Sequence, residues 1–201
     1  MDRRRFLITG AAYAAAVLAA PGMALAGKGG AVVLLPKPVM SGGKPLMTCL
    51  ALRHGNHAPG RGEVGLPDLG ALLWAAWGIN REDGRHVIPT ALNRQQVAVF
   101  AVRSDGVWEY LPAEHAMKKV LEGDRRGSFD NSGLVLLYAA PVKDRFSAMH
   151  VGSMYQNVAL YCASAGLENC VKDQGRGALD RELPLPAGWE TLITQSVAPG
   201  K

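Results

Sequence analysis

Residues 68–85 read DLGALLWAAWGINREDGR. Pro67 precedes the run and Asp68 opens it. Both are helix-start signals, because proline lacks an N–H that a first turn leaves unused and an acid suits the positive helix end. From Leu69 to Ile79 the residues are apolar nearly all round. A helix of that kind is buried on every side rather than laid on a surface. The stretch therefore predicts a central helix, and the rest of the chain must supply what covers it.

Upstream, residues 27–45 are rich in Gly and Pro and read as an extended arm. Leu46 to Leu52 is a short helix, followed by ALRHGNHAPGRGE at 51–63. Downstream, QVAVFAV (96–102) and VWEYL (107–111) flank Ser104-Asp105-Gly106 and predict a hairpin. PAEHAMKKVLEGD (112–124) reads as a short helix or turn. GLVLLYAAP (133–141) is a continuous apolar run, hence a central buried strand. Residues 143–165 predict the longest helix, with Val151, Met154, Val158, Tyr161 and Cys162 on one face and Gly166 at its end. NCVKD and TLITQSV are two further strands. This mixed order predicts an α+β fold, helices packed on a largely antiparallel sheet. The apolar helices imply either one central core or some surface that meets a second subunit.

The first 26 residues read as an export signal. Arg3, Arg4 and Arg5 lead into Phe6-Leu7, an Ala-rich apolar run follows, and Ala24-Leu25-Ala26 offers a small-x-small cleavage site. DRRRFLI resembles the twin-arginine export motif, so a periplasmic destination is expected, with membrane anchoring if the signal stays uncleaved. That route carries folded proteins and suits one that binds its cofactor before export. The full chain has 22 Lys and Arg against 17 Asp and Glu; three Arg and one Asp lie in the signal, so the mature excess is small. No basic stripe interleaved with aromatics occurs, which argues against nucleic-acid binding. Cys49, Cys162 and Cys170 are an odd number. On one helix the last two would stand ~12 Å apart, too far for a disulfide. Three buried free thiols are expected.

Chemistry-bearing motifs are sparse. Cys49, His54 and His57 have a C-x4-H-x2-H spacing, but zinc needs three or four ligands in fixed geometry and no second cluster completes the set. His86, His115 and His150 are scattered. No G-x-S-x-G elbow and no G-x-G-x-x-G turn occur, so neither a serine-hydrolase triad nor a dinucleotide fold is supported. No residue stands out as a catalytic acid or base, and no metal is expected.

A pattern spread over the mature chain says more. GGKPLM (42–47), DLGALLWAAWGINREDGR (68–85), PTALNRQ (89–95), MYQNVALYCASAGL (154–167) and LITQSVAP (192–199) occur in this order. Together they resemble the nitroreductase-like family in its small single-domain form, over residues 36–201. The division is then a signal at 1–26, an arm at 27–45 and one domain at 46–201. The resemblance implies an intertwined homodimer with FMN at the subunit interface. It also implies hydride transfer through flavin to nitroaromatics, quinones or other small electron-poor acceptors. The family's donor is NAD(P)H; a periplasmic enzyme would instead need a quinol or a redox protein.

The resemblance also carries residues. The family's phosphate loop, usually Arg-Arg-Ser-x-Arg, matches Arg53-His54-Gly55-Asn56-His57. Arg53 is retained, His54 and His57 stand where arginines usually stand, and Gly55 replaces serine. A neutral imidazole donates one hydrogen bond without charge, so the grip is weaker near neutral pH. Thr90 and Asn93 match the segment beside the flavin ring, Gln156 and Asn157 match a family helix, and Lys201 could reach the phosphate. His150 stands where the family commonly has an acid. The altered loop leaves a second reading open, a flavin-free descendant of the fold that acts as a binding or structural protein.

Overall fold

A computed structural model describes residues 24–25 and 30–200. The expected signal peptide lies outside the described residues apart from Ala24–Leu25, and so does Lys201. In chain order the elements are strands β1 (Ala24–Leu25) and β2 (Val32–Leu34), helices α1 (Leu46–Leu52) and α2 (Leu66–Trp77), and strands β3 (Ala98–Arg103), β4 (Gly106–Leu111), β5 (Ala116–Glu122) and β6 (Leu134–Pro141). Helix α3 (Ser147–Ala165) and strands β7 (Leu167–Lys172) and β8 (Trp189–Pro199) complete them. The described strands make one sheet of order β1-β2-β5-β4-β3-β6-β8-β7, antiparallel at every pair. The fold is α+β, as the element order implies.

Alternation along the inner strands explains their apolar runs. Val99 and Ala101 of β3, with Leu134, Leu136, Tyr138 and Ala140 of β6, face helices α2 and α3. Phe100, Val102, Val135, Leu137 and Ala139 face the opposite way and pack with Phe129, Leu179 and Leu183. Both faces are covered, so no position on β6 from Leu134 to Ala140 can be polar unless its polar atom is satisfied. Tyr138 meets that condition: its hydroxyl donates to Gln195 Oε1 at 2.6 Å, and Gln195 Nε2 donates to Asn169 Oδ1 at 3.0 Å. This buried chain of polar groups ties β6, β8 and β7 together.

Helix α2 has Gly65 at its N-cap and Pro67 in its first turn, and it buries Leu69, Leu72, Leu73, Ala76 and Trp77. It packs on α3, whose buried face is Val151, Met154, Val158 and Cys162. Tyr161 is half-buried and donates to Asp68 Oδ1 at 2.9 Å, locking the start of α2 to the end of α3. Gly166 ends α3 in the left-handed conformation, φ 74°, which suits glycine. All three cysteines are buried and free. Burial first, and then Asp68, pushes the Cys162 thiol up to about 12, so it stays protonated.

One expectation is corrected. The segment 112–124, read as a helix or turn, turns only over 112–115 and then forms β5. The residues Ala-Met-Lys-Lys-Val-Leu-Glu have good helix propensity. Pairing with β4 on one side and β2 on the other overrides it, and Ala116 and Met117 are buried as a result. Gly106 makes this possible: a Cβ there would lie 2.4 Å from the Leu121 carbonyl oxygen. The arm is also more than an extension. Its residues 32–34 form β2, and His115 secures it, with Leu35 N–H donating to the His115 carbonyl at 3.0 Å and the His115 ring reaching Pro36 O at 2.9 Å.

Candidate functional site

Chain connectivity brings the loop after α1 against β7. Asn56 N–H donates to Asn169 O at 2.8 Å, and Gly133 N–H donates to Gly60 O at 3.2 Å. Between this loop, α3 and β7 lies a cavity of about 300 Å³. Arg53, Gly55 and His57 line it from the loop, Tyr155 and Gln156 from α3, and Asn169 and Cys170 from β7. No carboxylate is among its lining residues. Arg53 forms no ion pair among the described residues. An uncommitted guanidinium, imidazole and amide donors, and a wall of Tyr155, Ala159 and Val171, make a site for an anion attached to an apolar body.

The residues singled out from the sequence fall into separate groups. Arg53, Gly55, His57 and Gln156 meet at the cavity. His54 is exposed beside it, its Nδ1 2.9 Å from the Leu52 carbonyl, and does not line it. Thr90 and Asn93 sit in the loop before β3, where Thr90 opens a short 3-10 turn over Ala91–Asn93. Leu92, Asn93 and Gln95 have φ of 54°, 51° and 53°, three costly left-handed residues within one loop, with Arg94 right-handed between the last two. Ala91 N–H donates to His150 Nε2 at 2.8 Å, so this loop docks on the first turn of α3. His150 and Gln156 share that helix, ~9 Å apart along its axis. The two groups therefore stand along a single helix.

Asn157 faces the other way. Its Nδ2 donates to the Ala75 carbonyl at 3.1 Å and pins α2 to α3. Cys49, His54 and His57 do not gather: no group of three or more His, Cys, Asp or Glu suited to a metal exists among the described residues. His86 stacks on Trp77 with ring centroids 3.5 Å apart, and its Nδ1 donates to Trp77 O at 2.8 Å. Burial lowers its pKa, so it is a neutral core histidine.

Several neighbours of the loop were not singled out in the sequence. Cys170 Sγ is 3.8 Å from His57 Nδ1. Lys172 Nζ donates to His57 O at 2.8 Å and contacts Asp130, whose Oδ2 accepts the Ser196 hydroxyl at 2.6 Å. Burial raises the Asp130 carboxyl, but hydrogen bonds from Lys172, Ser196 and Ser132 outweigh it and hold the carboxyl at about 2. Alternation in the strand NCVKD was the one signal available, and nothing local links it to positions 57 and 130.

A family model described as the nitroreductase family matches residues 63–194. A search of curated proteins gives no match. Among solved structures, a candidate nitroreductase from Ralstonia eutropha superposes with a TM-score of 0.77 at 28% identity, covering 90% of this chain and 94% of its own. A nitroreductase with bound FMN from Bacteroides fragilis gives 0.56 at 11% identity, over 79% of this chain and 89% of its own. A further FMN complex, a candidate nitroreductase from Desulfovibrio desulfuricans, gives 0.55 at 13%, over 79% and 88%. At such identities the last two speak for the fold alone.

Proposed function

The chain belongs to the nitroreductase family, and from that membership we propose an FMN-dependent oxidoreductase that works as a homodimer on small electron-poor acceptors such as nitroaromatics or quinones. The observation that supports it is the cavity beside Arg53 and His57, rich in donors and free of carboxylates. These residues fit a flavin mononucleotide: a phosphate monoester needs cations and N–H donors, and its ribityl chain needs amides and a partly apolar wall.

When bound, FMN supplies two-electron hydride transfer. What this chain contributes is binding and orientation. The Arg53 guanidinium matches phosphate oxygens with two parallel N–H bonds. His57 adds a ring N–H from the cavity wall with Gly55 next to it, and His54 offers one only from beside the cavity, its Nδ1 held at the Leu52 carbonyl. Gln156 offers an amide to the ribityl hydroxyls. Thr90 and Asn93, on the loop docked to His150, offer a hydroxyl and an amide to a ring edge. Lys201 is assigned to the phosphate with the same loop.

The homodimer has its own support. Helix α1 exposes Leu46, Met47 and Leu50, at 63, 74 and 45%, and the arm exposes Val39 and Met40. Exposed apolar side chains of this kind suit burial against a second copy of the chain. We further assign residues 1–26 to twin-arginine export and the mature protein to the periplasm. Because pyridine nucleotides are cytoplasmic, the donor there is a quinol or a redox protein.

The deciding experiment is purification after growth with riboflavin, followed by absorbance and FMN titration. A yellow protein, or a colourless one that takes up FMN stoichiometrically, is the expected result. A colourless protein that takes up none would favour the flavin-free descendant.

A further inference from the structure

We propose that Lys172, paired with Asp130, is a positioning residue: it sets the backbone of the 53–58 loop, and so the anion grip of that loop, without contacting the anion. The inference rests on the flavin reading above.

Lys172 Nζ is the only donor to the His57 carbonyl among the described residues, at 2.8 Å. The same ammonium contacts Asp130 Oδ2. Both side chains are largely buried, at 13 and 14% exposure. Asp130 is itself fixed, since Oδ1 accepts the Ser132 N–H at 3.1 Å and Oδ2 the Ser196 hydroxyl at 2.6 Å. The ammonium thus hangs from β7, the carboxylate from the loop before β6, and the hydroxyl from β8. The His57 carbonyl is thereby tied to two strands and to the loop before a third.

Three physical points favour positioning over the alternatives. Asp130 neutralises the ammonium at contact distance, so Lys172 brings little net charge to the cavity. A buried ion pair is a poor stabiliser on its own, because desolvation offsets its attraction and an apolar pair of similar size often does as well. Stability alone therefore does not account for it. Lastly, the chain from 53 to 65 has no helix or strand; Arg53 N–H donates to Cys49 O at 2.8 Å and His54 Nδ1 lies 2.9 Å from Leu52 O at its start, and beyond them the ties near His57 are Asn56 N–H to Asn169 O at 2.8 Å and Ala58 N–H to Asn56 Oδ1 at 3.1 Å. Removing the Lys172 bond frees the residue that carries the imidazole nearest Cys170, at 3.8 Å.

The test compares FMN with riboflavin, which lacks the phosphate. In the double variant K172M/D130L the FMN dissociation constant should rise about tenfold, the loss of one well-placed polar contact, while riboflavin binding stays as in wild type. K172R, whose fork can reach both carbonyl and carboxylate, should restore most of the difference. D130N separates positioning from direct contact: a freed ammonium acting on the phosphate would tighten FMN, whereas loss of the tether weakens it. Unchanged FMN binding in the double variant, equal weakening of FMN and riboflavin, or tighter FMN binding in D130N would each overturn the proposal. If the double variant does not fold, K172Q carries the same comparison, because its shorter amide cannot bridge both partners. Hydrogen exchange in the flavin-free proteins gives an independent reading: the Asn56 and Ala58 amides should exchange about tenfold faster in the variants. Unchanged exchange there sinks the tether. Faster exchange in a protein whose wild type takes up no FMN supports the tether and sinks the flavin reading.

Discussion

At the scale of single residues, the histidines divide by what surrounds them. His86 is a stacked, neutral core group, His115 staples the arm, and His150 accepts from the Ala91 amide. His54 and His57 remain exposed at the cation loop. If they grip a phosphate, His54→Arg/His57→Arg should bind FMN about tenfold tighter, read by flavin fluorescence. Equal affinity in the double variant would remove these two positions from the grip. Asp130 gives a prediction in the acid range. Its folded carboxyl is held at about 2 against roughly 3.9 in an unfolded chain. A depressed carboxyl contributes its full stability above about pH 4 and loses it as the pH falls through 2. Asp130→Asn should flatten that part of a melting-temperature profile. The residues 53–57 could be picked out as a candidate binding loop through the resemblance to the family. Lys172 and Asp130 could not, because a charged residue in a strand or loop looks solvated until the fold buries it.

Among the elements, those with a strong local signal match the sequence reading. Helix α2 has a proline start and an all-round apolar body, and β3–β4 has its Gly-bearing turn. Strand β5 does not match, because its residues favour a helix locally and only two neighbouring strands make it extended. Gly133 belongs to the same class of hidden constraint. A Cβ there would lie 1.7 Å from the Gly62 carbonyl oxygen, on backbone that cannot step aside. Gly133→Ala should destabilise the protein by about 1–3 kcal/mol, seen as a lower denaturant midpoint, with the loss centred where the 60–62 segment meets β6. Asn157 supplies the contrasting case. Its amide ties α3 to Ala75 of α2, so Asn157→Ala should cost about 1 kcal/mol and leave FMN affinity unchanged. A change in affinity without a change in stability would return Asn157 to the cofactor site.

For the whole molecule, the exposed apolar residues of α1 and the arm set the question of assembly. Sedimentation or light scattering of the mature protein should give a dimer, and Met47→Glu/Leu50→Glu should shift it towards monomer. A monomeric wild type would remove the support for subunit pairing. The two apolar helices do not themselves require a partner, since α2 and α3 cover each other and one face of the sheet. The other face is closed by Phe129, Leu179 and Leu183 from irregular chain, which carries no periodic signal. By itself the sequence determined the elements whose residues repeat with a helical or extended period, and the α+β class. Those are local properties, fixed by side-chain size, polarity and backbone preference over a few residues. Tertiary structure decided that 116–122 pairs as a strand, that the arm joins the sheet, and that Asn157 packs helices. It also decided that Lys172 meets Asp130 and the His57 carbonyl. Those depend on contacts between residues far apart in the chain, where burial and hydrogen-bond satisfaction outweigh local preference.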